Sequence, residues 1–155
     1  MCGRTVTIRT LDCGGEKATP ALNLCLGPNP ALGLRAIRLS LNRPEILADQ
    51  LAAILRAAAY GPVRILLPMV PTIEELLAVR NLLQNVVQLL IQRQAHLPDS
   101  LSPVGVMIEV PGVALAADAL AWHADFFAIG TNDLTQYTLA IDRTDEAIAH
   151  PYFFQ

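Results

Sequence analysis

The chain is short of the things that define several protein classes. It has three cysteines in 155 residues, Cys2, Cys13 and Cys25, and none of them forms a CxxC pair. A disulfide scaffold or a cysteine zinc site is therefore not expected, and free thiols in a reducing cytosol are. His96, His123 and His150 are scattered and make no HxxxH pair, which leaves a zinc centre without support. Aromatic residues are 5% and charged residues only 16%. Positive charge is scarce and is almost all arginine, with Lys17 the single lysine, and the net charge is -3. A broad cationic footprint for nucleic acid is thus excluded. Apolar stretches are broken by charges before the ~18–20 residues that span a bilayer, so no membrane segment is expected. The opening MCGRTVTIRT does not read as a signal peptide, and a cytoplasmic location is expected.

What the chain does have is hydrophobic content: 53% of residues, with mean hydropathy +0.41. That excludes a disordered chain. Short apolar runs alternate with helical patterns. Val6–Arg9, Val63–Met69, Val104–Glu109 and Asp125–Gly130 read as strands. The last three are nearly continuous apolar runs, as in parallel strands covered on both faces. Pro44 opens a helix whose face is Ile46, Leu47, Leu51, Ile54, Leu55 and Ala58, with Gly61 as its stop. Thr72 and Glu75 fit a capping box. Leu76, Val79, Leu83, Val86 and Leu90 then form a stripe at helical spacing. His96–Pro103 reads as a loop, and Pro111 opens a helix to about His123. The alternation predicts an α/β fold with a parallel sheet. A doubly wound sheet and a (β/α)₈ barrel both put polar chemistry at the carboxyl ends of strands. The dinucleotide fingerprint is absent, which favours a partial (β/α)₈ TIM-type barrel of about four strands. A full barrel takes ~250 residues, so residues 1–155 read as a single partial barrel domain.

Chemistry-bearing residues gather at those strand ends. Glu109 ends one buried run, and Asn132-Asp133 follow the next, one strand–helix–strand step later. Two carboxylates there suit Mg²⁺, which keeps waters and takes further ligands from a phosphate. The competing reading is that Glu109 and Asp133 merely cap the helices that follow them. Arg9 ends the first strand, Arg35 and Arg38 follow Gly33, and Arg143 follows Asp142. Guanidinium groups bind phosphate and carboxylate in paired hydrogen bonds. For Arg9 the competing reading is an internal ion pair with Asp12 or Glu109; for Arg35 and Arg38 it is a solvated helix face. Arg43, Arg56, Arg64, Arg80 and Arg93 read as solvated or helix-pairing charges. Two acids and several arginines describe a site for a Mg²⁺-bound phosphorylated carboxylic acid, compatible with phosphoryl transfer, aldol-type cleavage or enolate chemistry.

The stretch GTNDLTQYTLAIDR, residues 130–143, closely resembles the signature of phosphoenolpyruvate-utilising enzymes. Its Gln136-Tyr137-Thr138 and Asp142-Arg143 resemble the Enzyme I group of the bacterial sugar phosphotransferase system. TIRTLDCGGEK (7–17), NPALGLRAIR (29–38) and VGVMIEVP (104–111) agree in order and spacing. The pyruvate phosphate dikinase and phosphoenolpyruvate synthase groups share the TNDLTQ stretch and are the alternative, as is a non-catalytic remnant that only binds ligand. The resemblance implies a phosphoenolpyruvate-binding barrel with Glu109 and Asp133 as Mg²⁺ ligands. It implies Arg9, Arg35, Asn132, Asp133 and Arg143 as substrate-binding residues. In that family the phosphoryl group passes to a histidine on a separate domain and then to a small phosphocarrier protein, and a cysteine protonates the enolate. Cys2, Cys13 and Cys25 lie in the wrong segments for that role, so no catalytic residue is assigned and activity of these 155 residues is left open. Val110 stands where threonine is common in the family. The chain reads as a fragment, expected to self-associate or to dock with a complementary barrel piece, with no nucleic-acid or membrane partner.

Overall fold

Every β-forming run in this chain is followed by a helical one, and that alternation dictates the architecture. The computed structural model describes residues 3–14, 22 and 27–153. Cys2, Lys17 and Cys25 lie outside the described residues. Strand β1 is Val6–Arg9, followed by a 3-10 turn at Pro30–Leu32 and helices α1 (Ala36–Asn42) and α2 (Pro44–Ala58). Next come β2 (Val63–Leu67), α3 (Ile73–Gln92), β3 (Val104–Ile108) and two short helices, α4 (Pro111–Leu115) and α5 (Ala117–Leu120). The chain continues through β4 (Phe126–Ile129), α6 (Thr131–Leu139) and α7 (Glu146–Phe153).

All neighbouring strands pair in parallel, in the order β1-β2-β3-β4. Space order follows chain order, as in a (β/α)₈ barrel, and lacks the reversal that defines a doubly wound sheet. The fold is thus α/β with four barrel-type parallel strands and intervening helices. Parallel pairing puts every strand's carboxyl end on the same edge, which is why Arg9, Glu109 and the 130–133 segment can meet.

The core lies between one sheet face and the helices. Ile65, Leu67, Val104, Val106 and Ile108 supply the sheet side. Leu47, Leu51, Ile54 and Leu55 of α2 and the five predicted stripe residues of α3 supply the helix side, all buried. The alternate strand positions carry the other face. There Arg64, expected to be a solvated or helix-pairing charge, donates from Nε to Thr7 Oγ1 at 2.7 Å and stacks 4.3 Å over the Phe126 ring. Arg80 instead ties α3 to the entrance of β4. It donates from Nε to the His123 carbonyl at 2.6 Å and pairs with Asp125 at 2.9 Å.

One local expectation changes and one is met. The helix from Pro111 breaks at Ala116, whose φ -104 and ψ 18 leave the helical region. The Thr72 cap forms, with its hydroxyl accepting from Glu75 N–H at 3.4 Å. Among the described residues, no helix is long and apolar enough to cross a membrane.

Candidate functional site

At the carboxyl edge of the sheet a cavity of about 430 Å³ is lined by Arg9, Met107, Glu109, Ile129, Gly130, Thr131, Asn132, Asp133 and Arg143. The acid pair and two of the predicted arginines therefore face one space. Neither acid is a helix cap. Val110, the residue before α4, makes no side-chain cap, and Gly130 takes that place for α6, with Asp133 inside the first turn.

Glu109 is 2% exposed, and one carboxylate oxygen accepts from the Met69 N–H at 2.6 Å. Met69 reaches that position with φ +54, an uncommon conformation for a side-chain-bearing residue. Burial pushes the Glu109 carboxyl up to about 7. The Met69 hydrogen bond and the Arg9 charge oppose that rise, while Asp133 and Asp12 add to it. Its other oxygen lies beside Gly130, where a Cβ would come within 2.6 Å of it. The glycine of the GTND stretch is thus a requirement of space, letting β4 end against a carboxylate.

The arginines and aspartates alternate in sign. Arg9 pairs with Asp12 at 3.7 Å, Asp12 with Arg35 at 3.1 Å, Arg35 with Asp133 at 3.2 Å, and Asp133 with Arg143 at 3.7 Å. Arg35 is 2% exposed and does not line the cavity. It stands behind Asp133, and its burial corrects the solvated-face reading. It precedes α1 in extended conformation, and Ala36 next to it has φ +46. Gly14, at φ +97, passes so close that a Cβ would meet the Leu34 carbonyl at 2.6 Å and Arg35 Cβ at 2.8 Å. Burial opposes the Arg35 charge, but the Asp12 hydrogen bond and the Asp133 charge outweigh it and raise its pKa. Arg38 is exposed and donates to the Leu32 carbonyl at 2.9 Å.

Three further residues support the site in roles that the sequence did not assign them: Asp12 stood there only as a pairing alternative for Arg9, and Gln136 and Tyr137 only as part of the signature stretch. Asp12, only 3% exposed, joins Arg9 to Arg35. The Tyr137 hydroxyl accepts from Arg35 at 3.1 Å and donates to the Ala31 carbonyl at 2.6 Å. Buried Gln136 accepts from the Arg143 N–H at 3.2 Å, setting the turn that presents that guanidinium. Each stands within a few residues of a predicted ligand, but only the three-dimensional path shows which way it faces.

The donor set suits a hard cation. Among the described residues no group of three His, Cys, Asp or Glu side chains is placed to hold a metal ion. Two carboxylates alone fit an ion that fills its sphere with water and ligand oxygens. A buried carboxyl resisting ionisation is also a group that a cation would relieve.

This arrangement of acids and arginines on a parallel-sheet edge is of the kind that suits a small phosphorylated acid. Consistent with that class, the family model described as "PEP-utilising enzyme, PEP-binding domain" matches residues 1–154, and the chain belongs to that family. Among individual relatives, the phosphoenolpyruvate-protein phosphotransferase of Buchnera aphidicola subsp. Schizaphis graminum is 51% identical over 154 residues, 98% of this chain and 26% of its own length. Proteins of the same name from Haemophilus influenzae and Bacillus subtilis are 46% and 44% identical over 152 residues, with the same coverage. The chain thus spans about a quarter of the length of the curated relatives it matches. Among solved structures, a citrate lyase from Burkholderia xenovorans is similar at 23% identity and a TM-score of 0.47, over 63% of this chain and 29% of that one.

Proposed function

We propose that this chain binds phosphoenolpyruvate with Mg²⁺, as the substrate-binding part of a phosphoenolpyruvate-protein phosphotransferase. The observation that carries this reading is the meeting of Glu109, Asp133, Arg9 and Arg143 around one cavity. Glu109 and Asp133 would hold Mg²⁺, which when bound neutralises phosphoryl oxygens. Arg9 and Arg143 engage the phosphate and carboxylate, and the Asn132 amide donates beside Asp133. Arg35 acts through Asp133.

Such a site answers the main obstacle to the reaction. Phosphoenolpyruvate is multiply anionic, so a histidine nucleophile approaches against repulsion. Fixed positive groups offset that repulsion, and a loose phosphoryl transition state needs positioning and electrostatics above all. The phosphorus–enol oxygen bond breaks as the phosphorus–imidazole bond forms, and the enolate takes a proton to become pyruvate. In this reading the nucleophilic histidine belongs to a separate domain, and its phosphoryl group goes on to a phosphocarrier protein of sugar uptake in the cytoplasm. The chain is one partial barrel domain in that scheme, and it pairs with a second copy or a complementary barrel piece.

Isothermal titration of phosphoenolpyruvate into the folded chain, with and without Mg²⁺, tests the proposal. Binding that requires Mg²⁺ and is lost in Glu109→Gln and Asp133→Asn is expected. A folded chain that takes up no phosphoenolpyruvate in either buffer refutes it. Pyruvate release on binding would separate an active chain from one that only holds the ligand.

A further inference from the structure

The alternating series from Arg9 to Arg143 contains groups that cannot be ordinary ligand contacts. Asp12 and Arg35 are nearly sealed from solvent, at 3% and 2% side-chain exposure. An ion pair buried this far carries a desolvation cost that the attraction within it often fails to offset, so stability alone is a weak reason for it to be there. Its geometry indicates another use. The two oxygens of Asp12 are divided: Oδ1 accepts from Arg35 at 3.1 Å, and Oδ2 faces Arg9 at 3.7 Å. Arg35 is divided in turn. Nη2 serves Asp12, and Nη1 is shared between Asp133 Oδ1 at 3.2 Å and the Tyr137 hydroxyl at 3.1 Å. Tyr137 is itself held by its bond to the Ala31 carbonyl.

We propose that Asp12 and Tyr137 are positioning residues: together they clamp the Arg35 guanidinium in one orientation, so that Arg35 fixes Asp133 while Asp12 restrains Arg9 at the cavity wall. Neither touches the ligand. The inference rests on the phosphoenolpyruvate-binding reading for its consequence but not for its geometry. The consequence is charge placement. With Asp12 in place, Arg35 divides its donors between two carboxylates, and Asp133 keeps an oxygen toward the cavity. Removing the Asp12 charge leaves Arg35 with Asp133 as its main counter-ion and draws that carboxylate inward, away from a cation. The Arg9 guanidinium loses its restraint at the same time. Tyr137 works from the other side: without its hydroxyl, Nη1 is no longer held in its place between the phenol and Asp133.

Two measurements test this on the 155-residue chain, using Asp12→Asn, Asp12→Glu and Tyr137→Phe. The first is nitrogen-15 NMR of the arginine side chains, which needs no ligand. A clamped guanidinium rotates slowly about its Cζ–N bonds and shows separate Nη signals. The wild type is expected to show them for Arg35, and Tyr137→Phe and Asp12→Asn to merge or shift them. A freely rotating Arg35 in the wild type overturns the clamp whatever the chain binds. The second is titration of Mg²⁺ and phosphoenolpyruvate, with thermal melting of each variant to establish folding. Tyr137→Phe, the milder change, is expected to remain folded and to lose about tenfold in Mg²⁺-dependent affinity, the worth of a hydrogen bond to a charged group. Asp12→Asn is expected to lose at least as much, and Asp12→Glu to recover part of it. Folded Tyr137→Phe that keeps both wild-type affinity and wild-type Nη signals overturns the proposal. A wild type that shows the clamp but binds no phosphoenolpyruvate sinks the functional reading and removes the proposed consequence, leaving the clamp as a structural ion network.

Discussion

Glu109 is where chemistry and stability pull in opposite directions. Burial pushes its carboxyl up to about 7 in the folded chain from an ordinary 4.5. Below pH 4.5 both folded and unfolded forms are protonated there. Between 4.5 and 7 the unfolded chain ionises while the folded one keeps its proton, so this group makes stability fall as pH rises. The loss is complete above 7 and is on the order of 3 kcal/mol. Glu109→Gln is therefore expected to be less pH-sensitive, its stability relative to wild type growing from pH 5 to pH 8 in urea titrations. Mg²⁺-dependent binding should run the other way in the wild type, strengthening as pH rises through 7, because a cation needs the ionised carboxylate. Gly130→Ala is expected to displace the same carboxylate and weaken Mg²⁺-dependent binding at least tenfold, a loss of ~1.4 kcal/mol or more, as read by calorimetry. At this scale the sequence was legible for identity and incomplete for role. Arg9, Glu109, Asn132, Asp133 and Arg143 all reach the cavity, since strand ends and the helix starts after them are places a pattern can locate. Arg35 does not reach it. Its placement behind Asp133 depends on how the loop from Asp12 to Gly14 folds against Arg35, and no periodicity encodes that.

The elements divide into a load-carrying end and a ligand end. Leu83 lies within the α3 stripe and is buried against the sheet core. Leu83→Ala is expected to cost about 2–5 kcal/mol in urea unfolding, as a lost transfer term plus a cavity. Asp125 sits at the opposite edge from the site, where its carboxylate receives both Arg80 at 2.9 Å and the Val104 N–H at 2.7 Å. Asp125→Ala should lower stability by about 1–3 kcal/mol through the orphaned Val104 donor. It should leave phosphoenolpyruvate affinity in the folded chain unchanged, which calorimetry on the same sample checks. Elements were the most readable level. All four strands lie within the predicted runs, because apolar runs of that length bounded by turn residues have few other uses. The break at Ala116 was hidden because Pro111–His123 is rich in alanine, and nothing in that composition marks where the helix axis shifts.

For the molecule as a whole, the sheet presents β1 and β4 as its outer strands, and large apolar groups remain exposed near the β4 side. Trp122 is 87% and Ile129 72% exposed. Unpaired strand edges and uncovered apolar surface favour association. Sedimentation velocity over a range of concentrations is expected to show the 155-residue chain forming dimers or larger species; a single monomeric species throughout would contradict this. The chain-order sheet could be anticipated from strand–helix alternation, and the barrel preference from the absence of a glycine-rich fingerprint. Which surfaces stay uncovered could not, since exposure is a property of the assembled layers.

Among the described residues four that are not glycine have left-handed backbone, and two of them, Ala36 and Met69, flank the site from separate segments. Each is a joint where the main chain turns against its own steric preference, one beside Arg35 and one handing its N–H to Glu109. Glycine would relax such a joint, by about 1–2 kcal/mol in local backbone energy. That makes Ala36→Gly a way to loosen the cradle while leaving every charge in it untouched, and so to ask how much of the affinity comes from rigidity alone.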